Sequence, residues 1–377
     1  MNIKMWSVVV AIIIVLAGAG VYLNSQQSDA NSRTVIIAMV NEDGSGVFAS
    51  NDHPGLTFDV SSAKLWEDLT VATPGPSSIQ HMMIMNFVTQ ILGFQFKLAG
   101  TSSGEANTVY YTVVAPGNMA SYLVDGKIDA GIAWEPNYSN IINTSSNNAY
   151  SVGNSLALWK AIGYDGDHPC CVVVANREFA ESNSNAVLRF LSAYVASVEW
   201  VNAAIDAGGS NYQTLVESVK KNTGITNEIT IADALEQVKY TYSLDNLAAG
   251  LVTMIKTYES LGLLKNTMAD MGFSSESDFA NWLINTSYLN QAAGRTPTDY
   301  THLTSPITIN VGVLANDIHQ IALHIGVEQG IFSAYGINLN TSTFSVGGDV
   351  INAVLAGHID IGLAGAPPTV LNSINNW

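Results

Sequence analysis

The pattern Gly-x-Ile-Asp-x-Gly-x-Ala occurs twice, from Gly126 in LVDGKIDAGIAWEP (123–136) and from Gly357 in LAGHIDIGLAGAPP (355–368). Its carboxylates, Asp129 and Asp360, are of the type that acid–base chemistry uses. Both fall at strand starts, whereas open α/β sheets bind ligands beyond the carboxyl ends of their strands. A structural hydrogen bond to the preceding turn is therefore the expected role. Gly126 and Gly357 end helices, where a left-handed cap favours glycine. Gly131 and Gly362 leave room for close approach.

Ligand chemistry is better placed elsewhere. In TPGPSSIQH (73–81) a strand gives way to Pro74-Gly75-Pro76, and Ser77 and Ser78 open a helix. Free backbone N–H groups and hydroxyls at such a start can hold an oxyanion. FSVGGD offers a second helix start at Gly347 and Gly348. With only four arginines in the chain, helix termini would have to do most of the anion binding. Other loops are acidic: Glu42 and Asp43 in NEDGSG, Glu135 in WEP and Asp317 in NDIH. At strand ends they favour a ligand with an ammonium or N–H donors, so the ligand class is anionic or zwitterionic. Trp134 could pack on an apolar or cationic part of it. His319 could donate to an anion or be structural.

Catalytic signatures are weak. Gly100–Gly104 fits Gly-x-Ser-x-Gly but lacks the strand-to-helix elbow that motif needs. No zinc-protease or Walker motif occurs. The two cysteines, Cys170 and Cys171, are adjacent; neighbours on a strand point to opposite faces, so a disulfide between them would be strained. They read as small buried residues of the strand CCVVVANRE, of which one could face a ligand. No catalytic residue, cofactor or metal is expected.

The elements that must position these loops alternate. Strands are expected near 35–41, 69–73, 109–114, 128–133, 170–176, 308–314, 338–344 and 359–364, and their alternation with helical stretches implies mainly parallel sheets. Residues 178–290 read as helical; AVLRFLSAYVASVEWVNAA has helical apolar spacing, and Ser275 with Asp278 resembles a capping box. AAGRTPTDYTHLTSP (292–306) reads as a linker. The repeated unit suits two α/β lobes, each with its own sheet. The expected division is 33–60 with 160–295 and 305–377 in one lobe and 66–155 in the other.

The 377 residues carry a formal net charge of −17, with only 12% charged residues and 14 Lys and Arg. No basic patch exists, so nucleic acid is excluded as a partner. Apolar residues make up 47%, enough for a sizeable core. Lys4 precedes the apolar run Trp6–Leu23, followed by NSQQSDANS. Its length lies between a signal peptide and a membrane anchor, so 1–30 is read as one or the other and the remainder as extracytoplasmic. Asn137, Asn143, Asn285 and Asn340 head Asn-x-Ser/Thr sequons, which permit glycosylation.

The segment ITINVGVLANDIHQIALHIGVEQGIFSAYGINLN with FSVGGDVINAVLAGHIDIGLAGAPP resembles the beginning of mature solute-binding proteins of ABC importers of the nitrate/sulfonate/taurine group. VNEDGSG, LTVATPGPSSIQH, GKIDAGIAWEP and HPCCVVVANREF resemble that family's continuation. The resemblance implies a two-lobed Venus-flytrap α/β fold (periplasmic-binding-protein type II) and no enzymatic turnover. It also implies a small-molecule ligand, ABC permease subunits as partners, and the membrane met through the N-terminal segment. Its site would comprise Asp317, His319, Gly347, Gly348, Ala366, Pro367, Glu42, Gly44, Ser45, Ser77, Ser78, Trp134 and Glu135. The order departs from the family: placing 305–377 before 33–295 restores it. Circular permutation, a mis-joined gene and a domain-swapped dimer are the available explanations. HPCC also resembles, faintly, the histidine-cysteine motif of thiamine pyrimidine synthases, which share the fold. A pyrimidine-precursor binder, such an enzyme and an anchored ligand sensor are the alternatives.

Overall fold

A computed structural model describes residues 34–100, 104–144, 146 and 148–377. The N-terminal apolar run, residues 101–103 of the Gly100–Gly104 loop and Ser145 of the Asn143 sequon lie outside them. Among the described residues no helix is long and apolar enough to cross a membrane.

The strands, in chain order, are β1 (Thr34–Asp43), β2 (Ser45–Ser50), β3 (Thr70–Thr73), β4 (Gln95–Leu98), β5 (Thr108–Val113), β6 (Ala130–Trp134), β7 (Ala149–Asn154), β8 (Pro169–Asn176), β9 (Val238–Tyr240), β10 (Ile307–Leu314), β11 (Ile337–Phe344) and β12 (Ile361–Gly365). They form two six-stranded sheets, ordered β11-β10-β12-β8-β1-β9 and β4-β5-β3-β6-β2-β7. The two copies of the repeated motif enter different sheets, through β6 and β12. The expected segment 33–60 is divided, because β1 and β2 belong to different sheets. The chain crosses between sheets at Asp43-Gly44-Ser45 and again between β7 and β8.

The sheets are less parallel than expected. β11, β10 and β12 run parallel, as do β4, β5, β3 and β6. The strands at the crossings pair antiparallel: β8 with β12 and β1, and β2 with β6 and β7. A strand that carries the chain back from the other sheet enters in the opposite direction, and no helical crossover is needed.

Both Asp129 and Asp360 tie down the neighbouring parallel strand. Asp129 Oδ2 accepts from the Thr70 N–H at 2.7 Å, and Asp360 Oδ2 from the Asn310 N–H at 2.8 Å. Each also donates its own N–H back, to the Thr70 and Asn310 carbonyls. The role is structural as expected, though the partner is a strand start and not the preceding turn. At Gly131 and Gly362 side chains make the close approach: an added Cβ would lie 2.4 Å from Phe48 and 2.7 Å from Val350.

Helix Ser184–Ala207 buries Val187, Leu191, Val195 and Val198, spaced along one stripe, against the first sheet's core. Ser275 Oγ caps its helix by accepting from the Asp278 N–H. The linker residues lie on this body. Arg189 donates to the Thr301 carbonyl and stacks on Tyr300, and residues 297–299 form a single 3₁₀ turn. The last helix, Ala366–Asn375, returns to the start of β1, where Ser373 Oγ and Thr34 Oγ1 are 2.9 Å apart.

Candidate binding cleft between the two sheets

A cleft opens between the sheets. One wall is the start of helix Ile79–Asn86, with Pro74, Ser77, Ser78 and Gln80, and Trp134 at the end of β6. The opposite wall carries Val346 and Gly347 at the start of helix Gly347–Leu355, with Gly365 at the end of β12 and Pro368 after it. Cys170, Cys171, Leu314, Asp317 and His319 line the rest. The walls are close: a Cβ built on Gly348 would lie 3.7 Å from Ser77 Oγ and 3.5 Å from Asn372 Nδ2.

The helix starts differ in what they leave free. Ser78 Oγ accepts from the His81 N–H and donates to the Gly75 carbonyl. Helix Gly347–Leu355 has no side-chain cap, so its first N–H groups are uncommitted to one. Trp134 Nε1 and Asn372 Nδ2 are buried donors without a partner. An unpaired buried donor costs about 1–3 kcal/mol.

His319 is fully enclosed. Nδ1 lies 3.0 Å from Asp317 Oδ1 and Nε2 2.9 Å from the Gly44 carbonyl oxygen. With an acceptor at each nitrogen, the imidazolium is the form that satisfies both. Burial opposes that charge. The Asp317 carboxylate, Cys170 and the Gly44 carbonyl outweigh it and raise the pKa to about 10. Asp317 also accepts from the His319 backbone N–H and from Gln320 Nε2.

Other expected residues sit behind this surface. Gly44 and Ser45 form the first crossing; Gln80 Nε2 donates to Ser45 Oγ at 2.9 Å. Glu135 is buried. Its N–H donates to the Gly44 carbonyl, and its carboxylate accepts from the Ser139 N–H and hydroxyl. Burial pushes its pKa up to about 7, against those two bonds and the His319 charge. Ala366 and Pro367, buried in the first turn of the last helix, do not line the cleft; Gly365 and Pro368 do. Glu42 does not join them: it pairs with Lys239 at 2.6 Å, in a separate hollow with Trp159 and Asp167. Glu42 stands opposite Lys239 in the β1–β9 ladder at the sheet edge, and the ion pair across that ladder holds it there.

The cysteines were the least legible part. Their sulfurs are 3.6 Å apart and both line the cleft. Alternation fails because the β1–β8 register pairs Asn41 with Cys171 and Glu42 with Pro169, leaving Cys170 as an extra residue. Such a bulge re-aims side chains that a regular strand would send apart.

The periplasmic nitrate-binding protein NrtA from Synechocystis superposes with a TM-score of 0.51 at 16% identity, over 69% of this chain and 67% of that one. That likeness establishes the periplasmic-binding-protein type II fold. The periplasmic aliphatic sulphonate binding protein SsuA from Escherichia coli aligns with a TM-score of 0.45 at 16% identity, over 63% and 67%. The alkanesulfonate-binding protein SsuA from Xanthomonas axonopodis aligns with a TM-score of 0.43 at 14% identity, over 70% and 76%. No curated protein matches the chain. The model of the NMT1-like family matches residues 6–212, more than half of the sequence, and the chain is a member of that family.

Proposed function

We propose that this protein is an extracytoplasmic solute-binding component that holds a small anionic or zwitterionic ligand between its sheets and delivers it to an ABC importer. The two sheets act as lobes, and 43–45 and 154–169 are the segments about which they close. The observation that carries the reading is the donor-rich, unsatisfied character of the cleft. Trp134 Nε1 has no protein partner and lies in the wall. The uncapped start of helix Gly347–Leu355 faces the Ser77 side. A ligand acceptor would satisfy these donors without Lys or Arg, neither of which lines the cleft among the described residues; the His319 imidazolium is the cation there.

Nitrate and sulfonates, named for the structural neighbours, are the first ligands to test. They present planar or tetrahedral anionic oxygens, which accept charge-assisted hydrogen bonds from N–H and O–H donors. The apolar surfaces of Val346, Leu314 and Pro74 would accept an alkyl tail. The protein binds and releases the compound unchanged. The N-terminal segment, as signal peptide or anchor, would place it outside the cytoplasm.

The experiment is a thermal-shift and calorimetric screen against nitrate, taurine, alkanesulfonates and pyrimidine precursors. One of the anions or zwitterions should stabilise the protein in proportion to occupancy, and product analysis should recover it intact. Conversion of any bound compound, or selective binding of a cation, would overturn the reading.

A further inference from the structure

We propose that Cys170, Cys171 and His319 form a site for a single thiophilic metal ion of the zinc class, at the inner end of the cleft, with its fourth position open to the cleft. The three residues each offer a donor atom, all three within 4.8 Å of one another. The sulfurs are 3.6 Å apart and Cys171 Sγ is 4.0 Å from His319 Nδ1. A tetrahedral ion with bonds of about 2.3 Å to sulfur and 2.0–2.1 Å to nitrogen spaces its sulfurs by about 3.8 Å and sulfur from nitrogen by about 3.5 Å. The two edges that meet at Cys171 stand within about half an ångström of that triangle. The third, from Cys170 to His319, is no longer than 4.8 Å, so binding closes it by a small side-chain movement, and all three side chains face the same space.

Two further observations point to a ligand. The bulge at Cys170 is what brings the second sulfur round, and a regular strand would have supplied one thiol at most. Ligating histidines donate their other ring N–H to a carbonyl or carboxylate. Nε2 of His319 already faces the Gly44 carbonyl at 2.9 Å, leaving Nδ1 for the ion. Asp317 would keep two donors, the His319 backbone N–H and Gln320 Nε2, when the Nδ1 proton leaves. It also stays beside the added positive charge. The balance is simple: a divalent ion enters, and two thiol protons and one imidazolium proton pass to solvent. This is separate from the organic ligand of the cleft and can fail or succeed without it.

The test uses the purified protein, reduced and stripped of metal, titrated with Co²⁺ and then with Zn²⁺, with no organic ligand present. One equivalent of Co²⁺ should give a thiolate-to-cobalt charge-transfer band, and Zn²⁺ should displace it stoichiometrically. Cys170→Ser and Cys171→Ser should each remove most of the band and weaken Zn²⁺ binding by at least the roughly 10–100-fold that even an outer-sphere loss produces. Near-ultraviolet circular dichroism checks that both variants are folded. His319→Gln should shift the ligand-field bands and leave some charge transfer. Absence of the band in the native protein, or affinity unchanged in both folded cysteine variants, overturns the proposal.

Discussion

His319 Nε2 lies 2.9 Å from the carbonyl oxygen of Gly44, the residue at which the chain leaves one sheet and enters the other. The histidine belongs to the first sheet's loop after β10; the same carbonyl also accepts the N–H of Glu135, which follows β6 of the second sheet. One oxygen at the crossing thus holds a group from each side. Gly44 has φ of +88°, and an added Cβ would stand 2.4 Å from His319 Nε2. Gly44→Ala should therefore destabilise the protein by about 1–3 kcal/mol from backbone strain alone, with displacement of His319 adding to it. Denaturant unfolding of the variant measures this. A loss below a few tenths of a kcal/mol would mean that the crossing is not held in this geometry.

Glu135 gives a pH dependence of opposite sense to ordinary acid unfolding. Its carboxyl is raised from 4.5 to about 7, chiefly by burial. A group whose folded pKa lies above its unfolded value contributes fully below the unfolded pKa. It loses that contribution as pH rises through the folded one. The loss should run from about pH 4.5 to pH 7 and be on the order of 3 kcal/mol. Glu135→Gln, whose amide can pair with both Ser139 groups, should be more stable than the native protein at pH 8 and show little advantage at pH 4.5. Unfolding curves at several pH values decide it; parallel profiles for the two proteins would sink the assignment.

Ser77 and Ser78 should separate. Ser78 caps helix Ile79–Asn86, so Ser78→Ala should lower stability by about 1 kcal/mol. Ser77 faces Gly348 across the cleft, so Ser77→Ala should leave the melting temperature nearly unchanged and weaken ligand binding. A direct bond to a charged ligand is worth about 1.5–3 kcal/mol. Equal melting losses and unchanged affinity would make both serines scaffolding.

Much of this was readable because strands buried on both faces advertise themselves. Val172, Val173 and Val174 form a β-branched, wholly buried run. Four strands were missed, and none carries such a run. β2 reads SGVFAS, small residues with glycine, β4 QFKL, β7 AYSVGN and β9 VKY, the last inside the stretch read as helical. They are strands because β6, β5, β2 and β1 respectively supply a partner, which is tertiary context. The loops TPGPSSIQH and FSVGGD were visible through helix-start chemistry. The thiol pair was not, since it depends on one unpaired residue in β8 and on a histidine from a distant loop.

Trp134→Phe removes the unpartnered indole N–H and keeps most of the ring. Without ligand, the variant should be as stable as the native protein or slightly more so, since no bond is lost and a buried donor disappears. With ligand, affinity should fall. Calorimetric titration alongside unfolding shows whether both signs hold; reduced stability with unchanged affinity would mean that the nitrogen has no part in binding.

The last prediction concerns chain order. Ser373 Oγ and Thr34 Oγ1 touch at 2.9 Å, and Trp377 packs its ring against Phe273, Phe279 and Trp282. Trp377 lies four positions beyond Ser373, a rise of about 6 Å at helical spacing. A linker of about four to six residues, each spanning at most about 3.3–3.6 Å, should therefore join Trp377 to Thr34 without disturbing either. The compensating opening belongs between Thr304 and Ser305, both exposed. It lies beyond the Arg189–Thr301 bond and the Ser192–Tyr300 contact that hold the earlier linker to helix Ser184–Ala207. Such a rearranged chain, running 305–377, linker, 34–304, keeps every strand pairing of both sheets. It should fold to a monomer with the same circular dichroism and a melting temperature within a few degrees of the native order. Aggregation, or a dimer formed only by the native order, would show that the contact between the C-terminal helix and β1 is made between two chains.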